Sequence, residues 1–279
     1  LLGLFLLATA ISAPAQTAGT LVLGRVSDDP KAHYERLKPL LDYVVAQMHD
    51  LGIHEGRVLM ARDAQQMVSY LRQGKVDWIT ETSGAALIFE ERAKARIFLR
   101  ARRGGLFNYR SVFFTRNDSG IHSLEDLRGR AIGLQHPSST SAYLVPAITL
   151  LERSIPLVIQ ASPLERPPAA FVGYAFARSE GNLVTWVQKG LVDAAAFSNQ
   201  DWDELVMSSP AFARELHVFH ETREFPRAVE MVRDGIDERI EERLRQVLLG
   251  AHLDPSAGPA LRAYSNTERF DQIDAATSE

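Results

Sequence analysis

The sequence predicts an α/β protein built from two similar lobes, and three observations carry that prediction. Short β-forming runs alternate with amphipathic helical stretches, the pattern of layered α/β folds. The 279 residues suffice for two lobes of about 100–150 residues each. Two distant segments, LRQGKVDWITETSGAAL (71–87) and VQKGLVDAAAFSNQDW (187–202), share one order of features. Each runs from a helix end through Gly-x-Val-Asp and a short apolar strand to a cluster of small polar residues and a new helix. Chance recurrence of Gly-x-Val-Asp is the alternative; the shared continuation favours two lobes.

The elements follow in order. LLGLFLLATAISAPAQT is an apolar run ending in small residues, and Ala13-Pro14-Ala15 fits an A-x-A cleavage pattern. Residues 1–19 therefore read as a signal-peptide remnant, with the mature chain starting near 16–19; a buried N-terminal helix is the alternative. The run is shorter than the roughly 20 residues that span a bilayer, and no cysteine is present for lipid attachment. The expectation is a soluble periplasmic protein, not a lipoprotein. TLVLGRV (20–26) is the first strand. Pro30 opens a helix carrying Leu37, Leu40, Leu41, Val44, Val45 and Met48 at helical spacing. Gly52 ends it, and a strand (57–61) and a helix (64–73, stopped by Gly74) follow. Next come a strand (76–80), a helix (84–94) and a strand (96–101). RARRGG (100–105) reads as a solvated turn, with an anion-steering patch as the lesser reading.

YRSVFFTR (109–116) is long and extended. SLEDLRG is a short capped turn, with Ser123 as cap and Asp126 three residues on. RAIGLQ (130–135) is a strand that runs into HPSSTS, and a helix over 141–153 begins there with Pro146 near its start, where proline is tolerated. SPLERPPA (162–169) is an exposed connection. A helix (182–189), a strand (193–197) and a helix (202–207) precede the extended runs LHVFH and RAVEMVR and a charged helix at 237–249.

Composition narrows the function. A net charge of −4 lacks the basic footprint of a nucleic-acid binder, so no nucleic-acid partner is expected. The absence of cysteine excludes disulfides and thiol catalysis. There is no Gly-x-Ser-x-Gly, Walker A or Gly-x-Gly-x-x-Gly, so neither a cofactor nor an enzyme is expected. His217 and His220 lie three apart on a strand and point to opposite faces, which argues against a metal pair.

The chemistry concentrates in Ser138, Ser139, Thr140 and Ser141. A helix that starts near Thr140 leaves its first N–H groups unpaired and adds partial positive charge. Four hydroxyls in the same place would make a socket for a tetrahedral oxyanion that needs no fixed cation. The plainer reading is a helix cap, which needs one hydroxyl. Two more polar turns could face it: Glu81, Thr82 and Ser83 in TETS, and Asn199, Gln200 and Asp201 in SNQD. Glu81, Asp201 and Glu180 could accept the proton of an oxyanion or hold a ligand amine; each also fits as a helix-start acid. Trp78, Tyr34, Tyr109 and Trp202 could wall a ligand or lie in the core. His136 beside the serines admits a secreted Ser/His hydrolase as a third reading, but no acid at a recognisable spacing orients it.

The segment DLRGRAIGLQHPSSTSAYLVP resembles the signature of the phosphate/phosphite/phosphonate-binding proteins of ABC transporters, the PhnD-like family. The similarity runs from LVLGRVSDDP through GKVDWITETS and SVFFTRNDSGIHSLEDLRGR to VQKGLVDAAAFSNQDW. The resemblance implies a type 2 periplasmic-binding fold, two α/β lobes joined by two hinge crossings near 109–114 and 216–232. Lobe 1 would take 20–112 plus 217–279, and lobe 2 would take 113–216. It implies that Ser139, Thr140 and Ser141 hold the oxyanion, and that Gln200 and Asp201, with Glu180 more loosely matched, hold a ligand amine. Glu81 and Thr82 depart from the family, whose members often place an aromatic residue or glycine there. The implied partners are a small phosphorus oxyanion (phosphite, phosphate or phosphonate) and an ABC permease, with the chain acting as a monomer. Family members that report to a membrane sensor kinase supply the alternative role.

Overall fold

The computed structural model describes residues 19–27 and 29–273. The inferred leader, its cleavage site and the lipoprotein question lie outside the described residues. Among the described residues, no helix is long and apolar enough to cross a membrane.

The strands are β1 (Thr20–Val26), β2 (Glu55–Ala61), β3 (Trp78–Glu81), β4 (Arg96–Arg103), β5 (Asn108–Tyr109), β6 (Ser111–Arg116), β7 (Ala131–Leu134) and β8 (Leu157–Ile159). After them come β9 (Val172–Phe176), β10 (Ala194–Ser198), β11 (Leu216–Glu221), β12 (Phe225–Pro226), β13 (Val229–Val232) and β14 (Thr267–Asp271). The helices of the first lobe are α1 (Pro30–Ala46), α2 (Ala64–Arg72) and α3 (Ser83–Ala93). The second lobe holds α4 (Val145–Glu152), α5 (Glu180–Gln188), α6 (Asn199–Ser208) and α7 (Pro210–Ala213). The chain then returns to the first lobe for α8 (Glu238–Gly250) and α9 (Gly258–Ala263).

Two six-stranded sheets define the lobes, in the orders β14-β4-β13-β3-β1-β2 and β11-β6-β10-β7-β9-β8. In each, a parallel trio (β2-β1-β3, β9-β7-β10) is followed by an antiparallel strand (β13, β6). β3 thus corresponds to β10, which explains the echo in the sequence. Gly74 and Gly190 end their helices at φ +64° and +67°, a conformation that costs glycine nothing. Val76 and Val192 are buried in their cores. Asp77 accepts the Val22 N–H of β1 at 2.9 Å, and Asp193 accepts the Ala131 N–H of β7 at 2.9 Å. Each Asp ties the incoming strand to the middle strand of its own parallel trio.

Both faces of each sheet are covered. Leu23, Leu37, Leu40 and Trp78 pack on one side of the first sheet, and Met67, Ile79 and Phe89 on the other. Phe113, Ile132 and Leu150 pack on one side of the second sheet, and Phe114, Leu183 and Phe197 on the other. Each such side chain contributes about 1.5–3 kcal/mol of burial.

The sequence boundaries need adjustment. β6 and β11 pair with each other inside the second sheet, whose strands run from Ser111 to Glu221. The crossings are shorter than the extended runs suggested, and their midpoint is the ribbon β5–β12, where Tyr109 pairs with Phe225. Strands β8, β9 and β14 went unassigned in the sequence. RARRGG is not a solvated turn throughout, because β4 continues to Arg103. That guanidinium is buried, donates to Thr80 Oγ1 at 2.5 Å, and lies against Tyr264 and the buried Glu230.

Candidate functional site

The carboxyl ends of the parallel strands of both sheets converge on one cleft of about 620 Å³, where ligands bind in open α/β sheets. The turn after β7 supplies Ser138 to Ser141. Ser139 is the cap, its Oγ accepting the Ala142 N–H at 3.2 Å. The first turn beyond it, Thr140–Leu144, is wound as a π-helix before α4 takes over. Pro146 has no N–H to give, and the Ala142 carbonyl accepts the Gln135 N–H at 3.0 Å instead. That bond folds the hydroxyl turn back onto the end of β7. A π-turn at such a place commonly accompanies function.

Each hydroxyl has a distinct neighbour. Ser138 Oγ lies 3.1 Å from His136 Nδ1, and the Ser138 N–H donates to the same nitrogen at 3.3 Å. His136 is thus held in a local turn with the serine. Thr140 Oγ1 donates across the cleft to Thr82 Oγ1 at 2.8 Å. The Ser141 hydroxyl bonds the Tyr109 phenol, and its carbonyl accepts Ser111 Oγ at 2.7 Å. Burial holds the Tyr109 phenol above its ordinary range, with the nearby Arg227 guanidinium opposing.

The first lobe builds the facing wall from the ends of β1, β2 and β3. Glu81 is buried and accepts the Val26 N–H at 2.9 Å. Removal from water pushes its carboxyl above the usual carboxylate range, although Arg25 pulls the other way. Thr82 begins α3 without using its side chain as a cap. Arg25 and Arg62 line the same space.

From the second lobe, Arg178 enters the cleft from a left-handed backbone at φ 71°. Its N–H bonds the Gln135 carbonyl at 2.8 Å. A non-glycine residue in that region stores of order 1–3 kcal/mol of strain and clusters at functional sites. Glu180 lines the cleft and accepts Gln135 Nε2 at 2.5 Å. Asp201 also lines it, but its carboxylate accepts the Ser198 N–H and Oγ–H at 3.2 and 2.5 Å in a capping box. Arg227, from the second crossing, stacks 4.8 Å over the Tyr109 ring.

Of the residues singled out in the sequence, Ser138, Ser139, Thr140, Ser141, Glu81, Thr82, Glu180 and Asp201 line this one cleft. Three lie elsewhere. Ser83 faces a neighbouring groove with Leu87, Ile148 and Phe225. Asn199 Oδ1 accepts the Arg110 N–H at 3.0 Å, and Gln200 Oε1 accepts Arg227 Nε at 2.6 Å, so both brace the crossings. Among the aromatic candidates, Tyr109 lines the cleft, while Trp78 is buried and donates to Glu230 at 2.7 Å. Trp202 packs on Phe114, and Tyr34 is exposed. His217 bonds Asn117 and the Ile121 carbonyl.

The cations are the main addition to the sequence reading. An oxyanion socket without a fixed charge was expected, yet Arg25, Arg62, Arg178 and Arg227 all line the cleft. Its four acids do not cancel them evenly. Asp63 and Asp201 are engaged at helix caps, and burial moves Glu81 toward its neutral form. The signal available in the sequence was position: Arg25, Arg62 and Arg178 each lie at or just beyond the carboxyl end of a parallel strand.

Comparison with known proteins fits this geometry. The family model of the phosphonate ABC transporter periplasmic substrate-binding protein matches residues 24–277. XAC2383 from Xanthomonas citri, solved bound to chloride, is 48% identical with 94% of each chain covered and a TM-score of 0.90. The same protein bound to ATP is 47% identical, with the same coverage and a TM-score of 0.89. PhnD1 from Prochlorococcus marinus, in complex with methylphosphonate, is 17% identical over 94% of this chain and 95% of that one. Its TM-score of 0.70 shows the shared type 2 periplasmic-binding fold.

Proposed function

The chain belongs to the periplasmic substrate-binding proteins of phosphonate ABC transporters, and we propose that its cleft captures a phosphorus oxyanion carried on an organic group. Membership implies a small-molecule ligand, a membrane permease as partner, and a binding role in place of a catalytic one. One copy of the chain would hold the ligand between its own lobes and present it to that permease.

The observation that carries this reading is the hydroxyl turn Ser138–Ser141 lining one cleft together with four arginines. The turn offers neutral donors and a helix start to a tetrahedral anion. Guanidinium forks match phosphoryl oxygens in pairs. Size favours more than a bare anion: at about 30 Å³ per water in the liquid, the cleft equals roughly twenty waters. The ATP bound to the 47% identical Xanthomonas protein points the same way, toward a phosphate ester or phosphonate with a sizeable organic part. Phosphite, inorganic phosphate and methylphosphonate are the smaller members of the same class.

Calorimetry and thermal shift with ATP, methylphosphonate, inorganic phosphate, phosphite and sulfate test the reading. A phosphorus ligand at 100 times its Kd is expected to add about 2.7 kcal/mol of stability. Arg25→Ala and Arg178→Ala should each weaken that ligand about tenfold or more, the value of one hydrogen bond to a charged group. The reading fails if no phosphorus compound raises Tm.

A further inference from the structure

A chain of hydrogen bonds crosses between the lobes beside the cleft. The Gly84 N–H, in the first turn of α3, donates to Thr140 Oγ1 at 3.2 Å. A backbone N–H can only donate, so Thr140 Oγ1 accepts there, and it also bonds Thr82 Oγ1 at 2.8 Å. Thr82 makes no side-chain cap bond to α3, and it lines the cleft. Thr140 is nearly fully buried and belongs to the second lobe; Gly84 and Thr82 belong to the first. These bonds join the lobes directly.

Sterics make the same point independently. A Cβ placed on Gly84 would lie 2.7 Å from Thr140 Oγ1 and 2.8 Å from Leu144 Cδ1, closer than real Cβ contacts come. Gly84 does not have a left-handed φ, and it occupies a helix, where alanine is the better former. What its missing side chain provides is room for the second lobe to approach.

We infer that Gly84, Thr140 and Thr82 form an interlobe clasp. Thr140 is a positioning residue that holds the lobes together through its hydroxyl, and Thr82 offers its hydroxyl to the ligand. This separates two roles among residues that read in the sequence as one oxyanion-binding set. The clasp itself does not depend on what the cleft binds; the role given to Thr82 rests on the oxyanion reading above.

The chain has no cysteine, so spin labels on Gln65→Cys in α2 and Glu152→Cys in α4, both exposed and on different lobes, report the lobe separation. Electron–electron double resonance on the ligand-free protein should show a short-distance population in the wild type. Gly84→Ala should reduce it and Gly84→Val should abolish it, although alanine strengthens α3 itself. Thr140→Val, which keeps the shape and removes the hydroxyl, should also lose the population, and Thr140→Ser should keep it. A wild-type distance distribution in either Gly84→Val or Thr140→Val overturns the clasp. Calorimetry with ATP and inorganic phosphate then addresses Thr82 separately. Thr82→Ala should weaken whichever of the two binds about tenfold. Unchanged affinity, or no binding of either to the wild type, removes that role from Thr82 and leaves the clasp to the distance measurement.

Discussion

The strand-to-helix turns after β3 and β10 begin from the same grammar and end in opposite uses of their polar groups. After β10, Ser198 and Asp201 close a capping box within their own lobe, while Gln200 reaches out to Arg227 on the second crossing. After β3, the Thr82 side chain caps nothing and receives Thr140 from the other lobe, while Glu81 is buried with its carboxyl on the Val26 N–H. A helix start can take its side-chain bonds locally or leave them for a partner across a cleft. The Gly-x-Val-Asp repeat before each turn is the constant part, and the few residues after it carry the difference.

The largest effect should come from breaking the constant part. Asp77 is almost completely buried and pairs with Arg233 at 2.9 Å as well as the Val22 N–H. Removing one partner of a buried pair costs about 3–5 kcal/mol, so Asp77→Ala should destabilise by that much. Asp193 is partly open to water and its partner Arg166 is exposed; Asp193→Ala should cost about 1–2 kcal/mol. Urea unfolding checks both, and equal losses would mean that burial does not distinguish the two lobes as described.

Next in size is an exchange between the two turns. Ser198→Ala removes a cap and should lower stability by about 1 kcal/mol, and, with its hydroxyl committed to Asp201, it should weaken ligand binding less than Thr82→Ala does. Thr82→Ala should change stability by less than about 0.5 kcal/mol. A loss of affinity in Ser198→Ala matching that in Thr82→Ala would remove the contrast.

The smallest effect is expected at Glu81, where Arg25 and the backbone N–H groups of Val26 and Thr82 offset part of the burial penalty. Its folded-state pKa stands above the unfolded value. Its contribution is therefore fully present at acid pH and is lost as pH rises through the folded pKa. Glu81→Gln cannot ionise, so it should gain stability relative to the wild type toward neutral pH, with the gap closing in acid. Thermal unfolding across pH reads this directly; a gap that widens in acid would reverse the assignment.

Much of the fold was legible because its signals are local. Helical spacing of Leu37, Leu40 and Leu41, the stops at Gly74 and Gly190, and the Asp77 and Asp193 strands all depend on near neighbours in the chain. The hydroxyl turn was legible for the same reason, since Ser138 to Ser141 are consecutive. The edge strands β8 and β14 and the neighbouring β9 were not, because nothing nearby in sequence marks a partner strand. The arginines went unread because Arg25, Arg62, Arg178 and Arg227 come from four separate places and meet only at the strand ends. Arg103 was placed in solvent because its partner Glu230 lies on a strand that returns only after the whole second lobe.

By itself, then, the sequence determined the α/β alternation, the paired lobes and the hydroxyl-rich helix start, since periodicity, caps and turn residues act over a few positions. Tertiary structure decided which hydroxyls line the cleft and which bond between the lobes, and where the fixed positive charge lies. Those choices turn on distances between residues far apart in the chain, such as Thr140 to Thr82, and only the folding of the two sheets toward each other sets them.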